Sequence, residues 1–249
     1  MIALKRSISI VLPAYNEEDV IIESVSRLIR VMNSFSDNYE IIIVNDGSTD
    51  NTEEKIKSLK NRYRQIRLIG YSKNRGKGYA IKTGFMHMKG NIAVMMDADL
   101  DIDPAQIRMY IKTFLHKRRY DSSIAGAIGS KLHKRSNVKF PLRRRVMSMG
   151  YYTLLKLLFK LDTKDVNTGL KVFDGLLIKE ISPKLVTRGY AYDIELLSLL
   201  YKKGFRVLSL PVNCEYTRDM RADRIKPRHI IKTFKETMNV YLRNLKTES

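Results

Sequence analysis

Two aspartates with one residue between them, Asp97 and Asp99, stand directly after the apolar run Ile92–Met96. If this run forms a strand, both carboxylates lie where the strand ends. Carboxylate oxygens and substrate phosphates are the ligands that Mg²⁺ and Mn²⁺ prefer, and such an ion would neutralise a diphosphate and help it to leave. The same short pattern also occurs in solvated turns and at helix N-termini. The pair therefore predicts a metal site only in combination with other residues.

A third carboxylate, Asp46, follows the run Tyr39–Val44 and precedes Gly47 and Ser48. A carboxylate at the end of a second parallel strand commonly accepts hydrogen bonds from the ribose or the base of a nucleotide. Asp, Gly and Ser are also typical of turns, in which the carboxylate binds nearby backbone. Asp46 is therefore either a nucleoside ligand or a turn residue.

The segment Asn74–Gly78 combines two glycines with Arg75 and Lys77 ahead of a predicted helix. Glycines allow backbone N–H groups to approach an anion, and a helix N-terminus and nearby cations favour that anion. The segment matches neither the phosphate loop of nucleotide-hydrolysing enzymes nor the dinucleotide-binding motif. It indicates an anion site of another kind, or a plain loop rich in glycine and lysine.

Four short runs rich in Ile and Val alternate with three segments of helical periodicity over the first hundred residues. The runs are Ile8–Leu12, Tyr39–Val44, Ile66–Tyr71 and Ile92–Met96. The helical segments are Val20–Met32, Asn51–Tyr63 and Gly78–Met88. This alternation predicts an α/β fold with a parallel sheet covered on both faces. Because ligands of such sheets bind at the carboxyl ends of the strands, we expect the polar loops that follow the four runs to meet at one edge.

The chain beyond Asp99 is richer in helical and basic segments. Asp103 is a predicted helix cap, with Pro104 in the first turn and Gln106 three residues after the cap. Residues 117–145 hold ten Lys or Arg and one acidic residue.

Two later segments, Val146–Leu161 and the tail from Arg228, are predicted helices in which apolar residues accompany Lys and Arg. Helices of this kind lie in the headgroup plane of a membrane and bind anionic lipid. Alternatively, their apolar faces pack on the domain itself.

Forty-six Lys and Arg against 26 Asp and Glu give the 249-residue chain a formal charge of +20. This charge favours anionic partners, namely nucleic acid, lipid headgroups or phosphorylated substrates. The single cysteine excludes an internal disulfide and is typical of a reducing compartment. The first apolar run is too short for a secretory signal, and no apolar stretch reaches the roughly 20 residues of a membrane span. We therefore expect a soluble or peripherally bound cytoplasmic protein.

In combination and order, these motifs resemble the family-2 glycosyltransferases with a GT-A fold, and within that family the dolichyl-phosphate mannose and glucose synthases. The matching segments cover nearly the whole chain and are Val11–Glu18, Val44–Ser48, Asn74–Gly78, Met96–Leu100, Gly129–Lys131, Arg144, Asn167–Phe173 and Tyr192–Leu197. The resemblance implies a mixed α/β, Rossmann-like domain whose central sheet is mostly parallel and flanked by helices. It assigns this domain to residues 1–225, with a donor half at 1–126, an acceptor half at 127–225 and a basic amphipathic C-terminal helix at 226–249.

The resemblance also implies roles for the residues at matching positions. The nucleotide-sugar ligands would be Pro13, Tyr15, Glu17, Asp46, Lys77, Asp97, Ala98, Asp99 and Lys131. The residues that act in catalysis would be Asp97, Asp99, Arg144 and Asp193. The acceptor phosphate would be held by Arg143, Arg144 and Lys171. The metal ligands would be Asp99, Asp97 and, as a third candidate, Asp101.

Some of these assignments have alternatives. Lys131 stands where the family usually has Arg, and a lysine cannot form the forked contact of a guanidinium. Asp101 stands where mannose-specific relatives often carry a metal-binding Gln, and it is otherwise a surface residue. Arg143 and Arg144 could instead belong to a solvated basic face or contact lipid headgroups. Glu195 is either a site residue or the structural partner of an arginine.

The implied reaction is inverting transfer of a hexose from a nucleotide sugar to dolichyl or another polyprenyl phosphate, with Mg²⁺ or Mn²⁺ as cofactor. An acceptor phosphate is already ionised at neutral pH, so cations that bring two anions together matter more than a general base. Met96–Leu100 resembles the mannose synthases, which use GDP-mannose, whereas Asn74–Gly78 and Tyr192–Leu197 resemble the glucose synthases, which use UDP-glucose. We take mannose as the expected sugar and the cytoplasmic face of an anionic membrane as the expected location.

Two other functions fit parts of the sequence. A transferase acting on a soluble glycan would share the donor motifs, although the lack of tryptophan argues against processive polymerases, which usually carry a Q-x-x-R-W motif. A basic nucleic-acid-binding protein would explain the charge. Because the cationic segment lacks a recognisable nucleic-acid module and the carboxylates would repel phosphate, we expect no nucleic-acid partner.

Overall fold

The structure, a computed structural model, describes residues 6–99, 101–138, 142–159, 163, 165–215 and 227–246, with the side chains of 142–148 and 227–230 outside this description. The strands within these ranges are β1 Ile8–Ala14, β2 Tyr39–Asn45, β3 Ile66–Gly70, β4 Ile92–Met96, β5 Ile124–Ser130, β6 Asn137–Val138, β7 Leu170–Asp174, β8 Arg206–Pro211 and β9 Asn213–Cys214. The α-helices are α1 Ile21–Asn33, α2 Thr52–Arg62, α3 Lys77–His87, α4 Gln106–Arg118, α5 Leu142–Phe159, α6 Gly175–Ile181, α7 Tyr192–Lys202 and α8 Pro227–Lys246.

Seven strands form one sheet in the order β3-β2-β1-β4-β7-β5-β8, while β6 and β9 pair separately. Among the described strands of this sheet, only β7 runs antiparallel to its neighbours, so the predicted mostly parallel α/β sheet is confirmed. The four predicted runs form β1 to β4, and the three predicted helical segments form α1 to α3, each within two residues of its expected limits. The carboxyl ends of β1, β2 and β4 therefore lie side by side.

The hydrophobic core lies on both faces of this sheet, because successive strand side chains point to opposite sides. Ile10 and Leu12 of β1 belong to the cluster that also contains apolar residues of α1 and α4. Val11 belongs to the opposite cluster, with residues of α3, α6 and α7. Gly84 permits the approach of α3 to β1, since a Cβ atom there would lie 2.3 Å from a methyl carbon of Val11.

The start of α4 differs from the predicted cap. Asp103 accepts a hydrogen bond from the backbone N–H of Ala105 at 2.9 Å and forms an ion pair with Arg27, but the helix begins only at Gln106. The side-chain amide of Gln106 bonds mainly to β9 and not to the predicted cap. It donates to the carbonyl of Asn213 at 2.8 Å and accepts from the backbone N–H of the same residue. The predicted cap residues therefore connect α4 to α1 and β9.

The C-terminal helix α8 packs on α7 with the side of the helix that carries Thr237 and Val240, which are both buried. Most of the described large apolar residues of α8 lie on the side that faces away from α7 and are exposed. Those that are exposed are Ile231, Phe234, Leu242 and Leu245. Lys232, Lys235 and Lys246 are exposed beside them. The described part of α8 thus presents an apolar stripe flanked by lysines away from the domain.

Candidate active site

The loops that follow β1 and β2 are joined to one another at the carboxyl edge of the sheet. Asn16, with a φ of 54°, accepts a hydrogen bond from the backbone N–H of Thr49 at 2.8 Å, and the N–H of Glu17 donates to Thr52 Oγ1 at 2.8 Å. These contacts fix the backbone around Tyr15, whose side chain is 45% exposed. The predicted nucleoside ligands Pro13, which lies near the end of β1, and Tyr15 and Glu17, which follow it, therefore lie beside the loop that carries Asp46.

Asp46 is buried and holds the glycine-rich segment in place. One of its oxygens accepts from the backbone N–H of Arg75 at 2.8 Å, and the other accepts from the amide of Asn74 and the backbone N–H of Gly76, both at 3.0 Å. The turn contact considered for Asp46 is made instead by Asn45, which accepts from the N–H of Ser48 at 3.1 Å. With three of the about four acceptor positions of an ionised carboxylate used in this way, Asp46 organises this loop.

The glycine-rich turn at the start of α3 lies against the segment 185–191. Gly76 has a φ of 99°, and a Cβ atom there would lie 2.4 Å from the carbonyl oxygen of Arg188. A Cβ atom at Gly78 would lie 2.6 Å from the carbonyl oxygen of Thr187. The N–H of Tyr79 donates to the Arg188 carbonyl at 3.2 Å. Some of the backbone N–H groups predicted to bind an anion thus donate to protein oxygens instead. Lys77, between the two glycines, extends towards Asp97.

Lys77 contacts Asp97, with 2.6 Å between the ammonium nitrogen and a carboxylate oxygen, and both side chains are about a quarter exposed. Burial opposes the ionisation of Asp97, but the nearby charge of Lys77 outweighs it, aided by Lys171 and Lys131, so the pKa of Asp97 is lowered. The pKa of Lys77 is raised despite burial, mainly by Asp97 with help from Asp193 and Asp99. The structure therefore brings residues from α3, β7 and α7, and from the turns that follow β4 and β5, into one electrostatic cluster.

Asp99 and Asp101 occupy the turn after β4. Asp99 accepts a hydrogen bond from the backbone N–H of Asp101 at 3.1 Å, and the carbonyl of Asp101 accepts from the N–H of Glu215. Among the residues that the structure describes, no three or more His, Cys, Asp or Glu side chains are grouped to hold a metal ion. The role of Asp101 as a third ligand beside Asp97 and Asp99 stays a prediction. The oxygen donors of Asp97 and Asp99 do suit an ion that binds one or two carboxylates and completes its shell with substrate phosphates.

Asp193, in the first turn of α7, forms a buried ion pair with Lys171 of β7 at 2.9 Å. Lys171 is 1% exposed, and its ammonium also donates to the carbonyl of Thr168 at 2.6 Å. Burial raises the pKa of Asp193 against the opposing effect of Lys171. The ammonium of Lys171 is thus enclosed and contacts protein acceptors, and its predicted contact with an acceptor phosphate stays a prediction.

Lys131 lies at the end of β5, where its backbone N–H donates to Asp165 at 2.9 Å. Asp165 also accepts from the hydroxyl of Thr168 and the backbone N–H of Asn167, both at 3.1 Å. Asp165 was not among the predicted site residues, although an Asp with Asn and Thr two and three residues later is typical of a turn. The side chains of Arg143 and Arg144, which lie at the start of α5, are outside the described part of the structure.

Gly169 lies directly against Asp97 and was also not predicted as a site residue. Its carbonyl accepts from the backbone N–H of Asp97 at 3.1 Å. A Cβ atom at Gly169 would lie 2.6 Å from the carboxylate of Asp97. Only glycine therefore permits this contact between the start of β7 and the end of β4.

Comparison with known proteins identifies the family of this chain. The sequence model of glycosyl transferase family 2 matches residues 9–180. The chain is 31% identical to a dolichyl-phosphate beta-glucosyltransferase of Saccharomyces cerevisiae over 83% of this chain and 66% of that protein. It is 30% identical to one of Dictyostelium discoideum over 83% and 65% of the two chains. The chain thus spans just under two thirds of the length of these curated relatives.

Solved structures show the same fold. A glucosyl-3-phosphoglycerate synthase from Mycobacterium tuberculosis with UDP matches 96% of this chain and 80% of its own, with a TM-score of 0.66 and 18% identity. A mannosyltransferase from Pyrobaculum calidifontis with GDP-Man and Mn²⁺ matches 97% and 71%, with a TM-score of 0.61 and 18% identity. The fold is that of GT-A glycosyltransferases, and with a family match over more than half of its length, this chain belongs to glycosyl transferase family 2.

Proposed function

We propose that this chain transfers glucose from UDP-glucose to dolichyl phosphate or a related polyprenyl phosphate, with a divalent metal ion and with inversion at the anomeric carbon. The observation that carries the proposal is the similarity to dolichyl-phosphate beta-glucosyltransferases over 83% of the chain, which includes the clustered residues Lys77, Asp97 and Asp193. This replaces the sequence-based preference for mannose, which depended on Met96–Leu100. The GDP-Man complex among the similar structures supports the fold alone, because its identity to this chain is 18%.

On the donor side, the diphosphate would be bound by Lys77 and by a metal ion held by Asp97 and Asp99. When bound, Mg²⁺ or Mn²⁺ neutralises charge on the leaving diphosphate. Lys77 adds a positive charge from the first turn of α3, where the helix N-terminus also favours an anion. Asp46 and the loop of Tyr15 and Glu17 would hold the nucleoside.

On the acceptor side, one phosphate oxygen attacks the anomeric carbon from the face opposite the diphosphate. The new carbon–oxygen bond forms as the bond to the diphosphate breaks, and UDP leaves with the bonding electron pair. An ionised acceptor has no proton to lose, so the chain needs cations that hold two anions together. Lys131 belongs to the described cluster and suits this role, and Arg143 and Arg144 remain proposed contacts of the acceptor phosphate.

A thermal-shift experiment tests the donor. With Mn²⁺ present, UDP-glucose at about 100 times its Kd is expected to stabilise the chain by about 2.7 kcal/mol, which corresponds to a rise in Tm of roughly 5–10 °C for a chain of this size. GDP-mannose at the same concentration is expected to give a much smaller shift, and removal of the metal with EDTA should abolish the UDP-glucose effect. A larger shift with GDP-mannose would show that the proposed sugar is wrong.

We further propose that the protein acts on its lipid acceptor from the surface of an anionic membrane. None of the described helices is both long enough and apolar enough to cross a bilayer. The support for surface binding is the stripe of Ile231, Phe234, Leu242 and Leu245 on α8, which has exposed lysines on its flank. Apolar residues beside lysines bind the headgroup region by burying apolar area and attracting anionic lipid.

Co-sedimentation with vesicles that contain phosphatidylserine tests this location at low salt. The double variant Ile231→Ser/Phe234→Ser is expected to bind at least about tenfold more weakly than the unmodified chain, because each apolar side chain contributes about 1.5–3 kcal/mol when fully buried. Ile22→Ser on α1 is a matched control, since Ile22 is 44% exposed and lies outside the stripe. Equal binding of both variants, or no binding of the unmodified chain, would contradict the proposal.

A further inference from the structure

The segment 185–191 packs against the glycine-rich turn at Gly76–Gly78, and we call this segment the wall. Glu195 of α7 forms hydrogen bonds with the wall. One oxygen of the buried Glu195 carboxylate accepts from the backbone N–H groups of Val186 at 3.0 Å and Thr187 at 2.8 Å. The other oxygen accepts from the Arg243 guanidinium of α8 at 2.7 Å. Arg243 also donates to the hydroxyl of Thr187 at 2.9 Å. The Glu195 carboxylate therefore binds the wall directly, through two backbone N–H groups, and indirectly, through Arg243 of α8, which also contacts Thr187.

Further contacts hold the same segment from its other sides. Lys82 of α3 donates to the carbonyl of Leu185 at 2.7 Å. Glu236 of α8 lies against Gly189 and accepts from the backbone N–H of Ala191 at 3.4 Å. The segment is thus anchored by α3, α7 and α8, with Glu195 as its buried charged anchor.

The opposite side of the wall touches the turn that positions Lys77. The carbonyl oxygens of Thr187 and Arg188 lie so close to Gly78 and Gly76 that neither glycine could carry a side chain without displacing the wall. Lys77 stands between these glycines and contacts Asp97 at 2.6 Å. A displacement of the wall would therefore displace the turn and, with it, the ammonium of Lys77.

We infer that Glu195 is a positioning residue for the donor diphosphate, acting through the wall 185–191 on Lys77. The inference rests on the proposed function to the extent that the donor carries a nucleoside diphosphate. Glu195 is remote from the diphosphate in this chain of contacts, so its loss weakens donor binding without removing any group that touches the donor. Because Arg243 of α8 contacts both Glu195 and Thr187, α8 also helps to position the wall.

The test measures the affinity of the full chain for UDP and, in parallel, for GDP with Mn²⁺ by calorimetric titration. Glu195→Gln is expected to raise the Kd of the diphosphate that binds by about tenfold, as for other residues that orient a ligand-binding group. Arg243→Met is expected to have a smaller effect in the same direction. Glu180→Gln, which breaks an exposed ion pair between α6 and Lys203, is the control and is expected to leave Kd unchanged.

A double variant separates positioning from a general loss of structure. In a Lys77→Met background, Glu195→Gln is expected to have almost no additional effect on Kd, because its influence passes through Lys77. Equal effects of Glu195→Gln with and without Lys77, or a wild-type Kd in the single variant, would overturn the inference. If the wild-type chain binds GDP and not UDP, the proposed glucose donor fails while the inference is judged on GDP. If it binds neither, both are overturned.

Discussion

Replacing Asp99 with either asparagine or alanine is expected to lower kcat/KM for metal-dependent sugar transfer by about a thousandfold. A metal ion at a diphosphate contributes several kcal/mol of charge stabilisation, and about 1.4 kcal/mol corresponds to a factor of ten in rate. The asparagine variant is the informative one, because its side-chain oxygen can still accept the hydrogen bond that Asp99 receives from Asp101. It therefore keeps the turn and removes the charge. Steady-state kinetics over a range of Mn²⁺ concentrations would measure the effect.

Asp103→Asn is the matched control, because Asp103 lies in the same region but forms its ion pair with Arg27 on the domain surface. This variant should retain nearly full activity. If Asp99→Asn is nearly as active as the control while Asp99→Ala is impaired, Asp99 is a turn residue and its assignment as a metal ligand is wrong.

Replacing Asp193 with alanine is expected to lower the free energy of unfolding by about 3–5 kcal/mol, because Lys171 would remain as an uncompensated buried charge. For a chain of this size, this corresponds to a fall in Tm of roughly 6–20 °C. The double variant Lys171→Met/Asp193→Leu replaces the pair with apolar groups of similar volume and should recover most of this loss. Urea denaturation of the wild type, the single variant and the double variant would measure both effects.

The same double variant tests whether the pair also serves the reaction. The predicted role of Asp193 near the sugar requires that transfer remains impaired after stability has recovered. Recovery of both stability and activity would show that the pair is only structural, and the assignment of Asp193 to catalysis would then be wrong.

The first half of the fold was predictable because its signals are local. Runs such as Ile92–Met96 and their helical neighbours carry their own periodicity, and the parallel sheet follows from their alternation. The antiparallel placement of β7 between β4 and β5 has no such signal, since it depends on which strands pair across more than forty residues. The burial of Lys171 follows from that placement, so its enclosure could not be read from the sequence.

Periodicity identified an apolar side of the C-terminal helix but not the direction in which it faces. Ile231, Phe234 and Leu245 have the spacing of a helix face, yet they are exposed while Thr237 and Val240 are buried against the domain. Polar contacts explain this orientation, because Arg243 on the inner side of α8 reaches Glu195. The sequence offered an arginine as one possible partner of Glu195, but the identity of that arginine depends on tertiary packing.

The most direct test of the proposed reaction is a transfer assay with the full chain, dolichyl phosphate in phosphatidylserine-containing vesicles and Mn²⁺. Radiolabelled UDP-glucose and GDP-mannose are compared in parallel, and lipid-linked label is measured after organic extraction. The proposal predicts that glucose moves to the lipid fraction, that EDTA or Asp99→Asn stops this transfer, and that much less mannose is transferred. Absence of lipid-linked glucose, or preferential transfer of mannose, would contradict it.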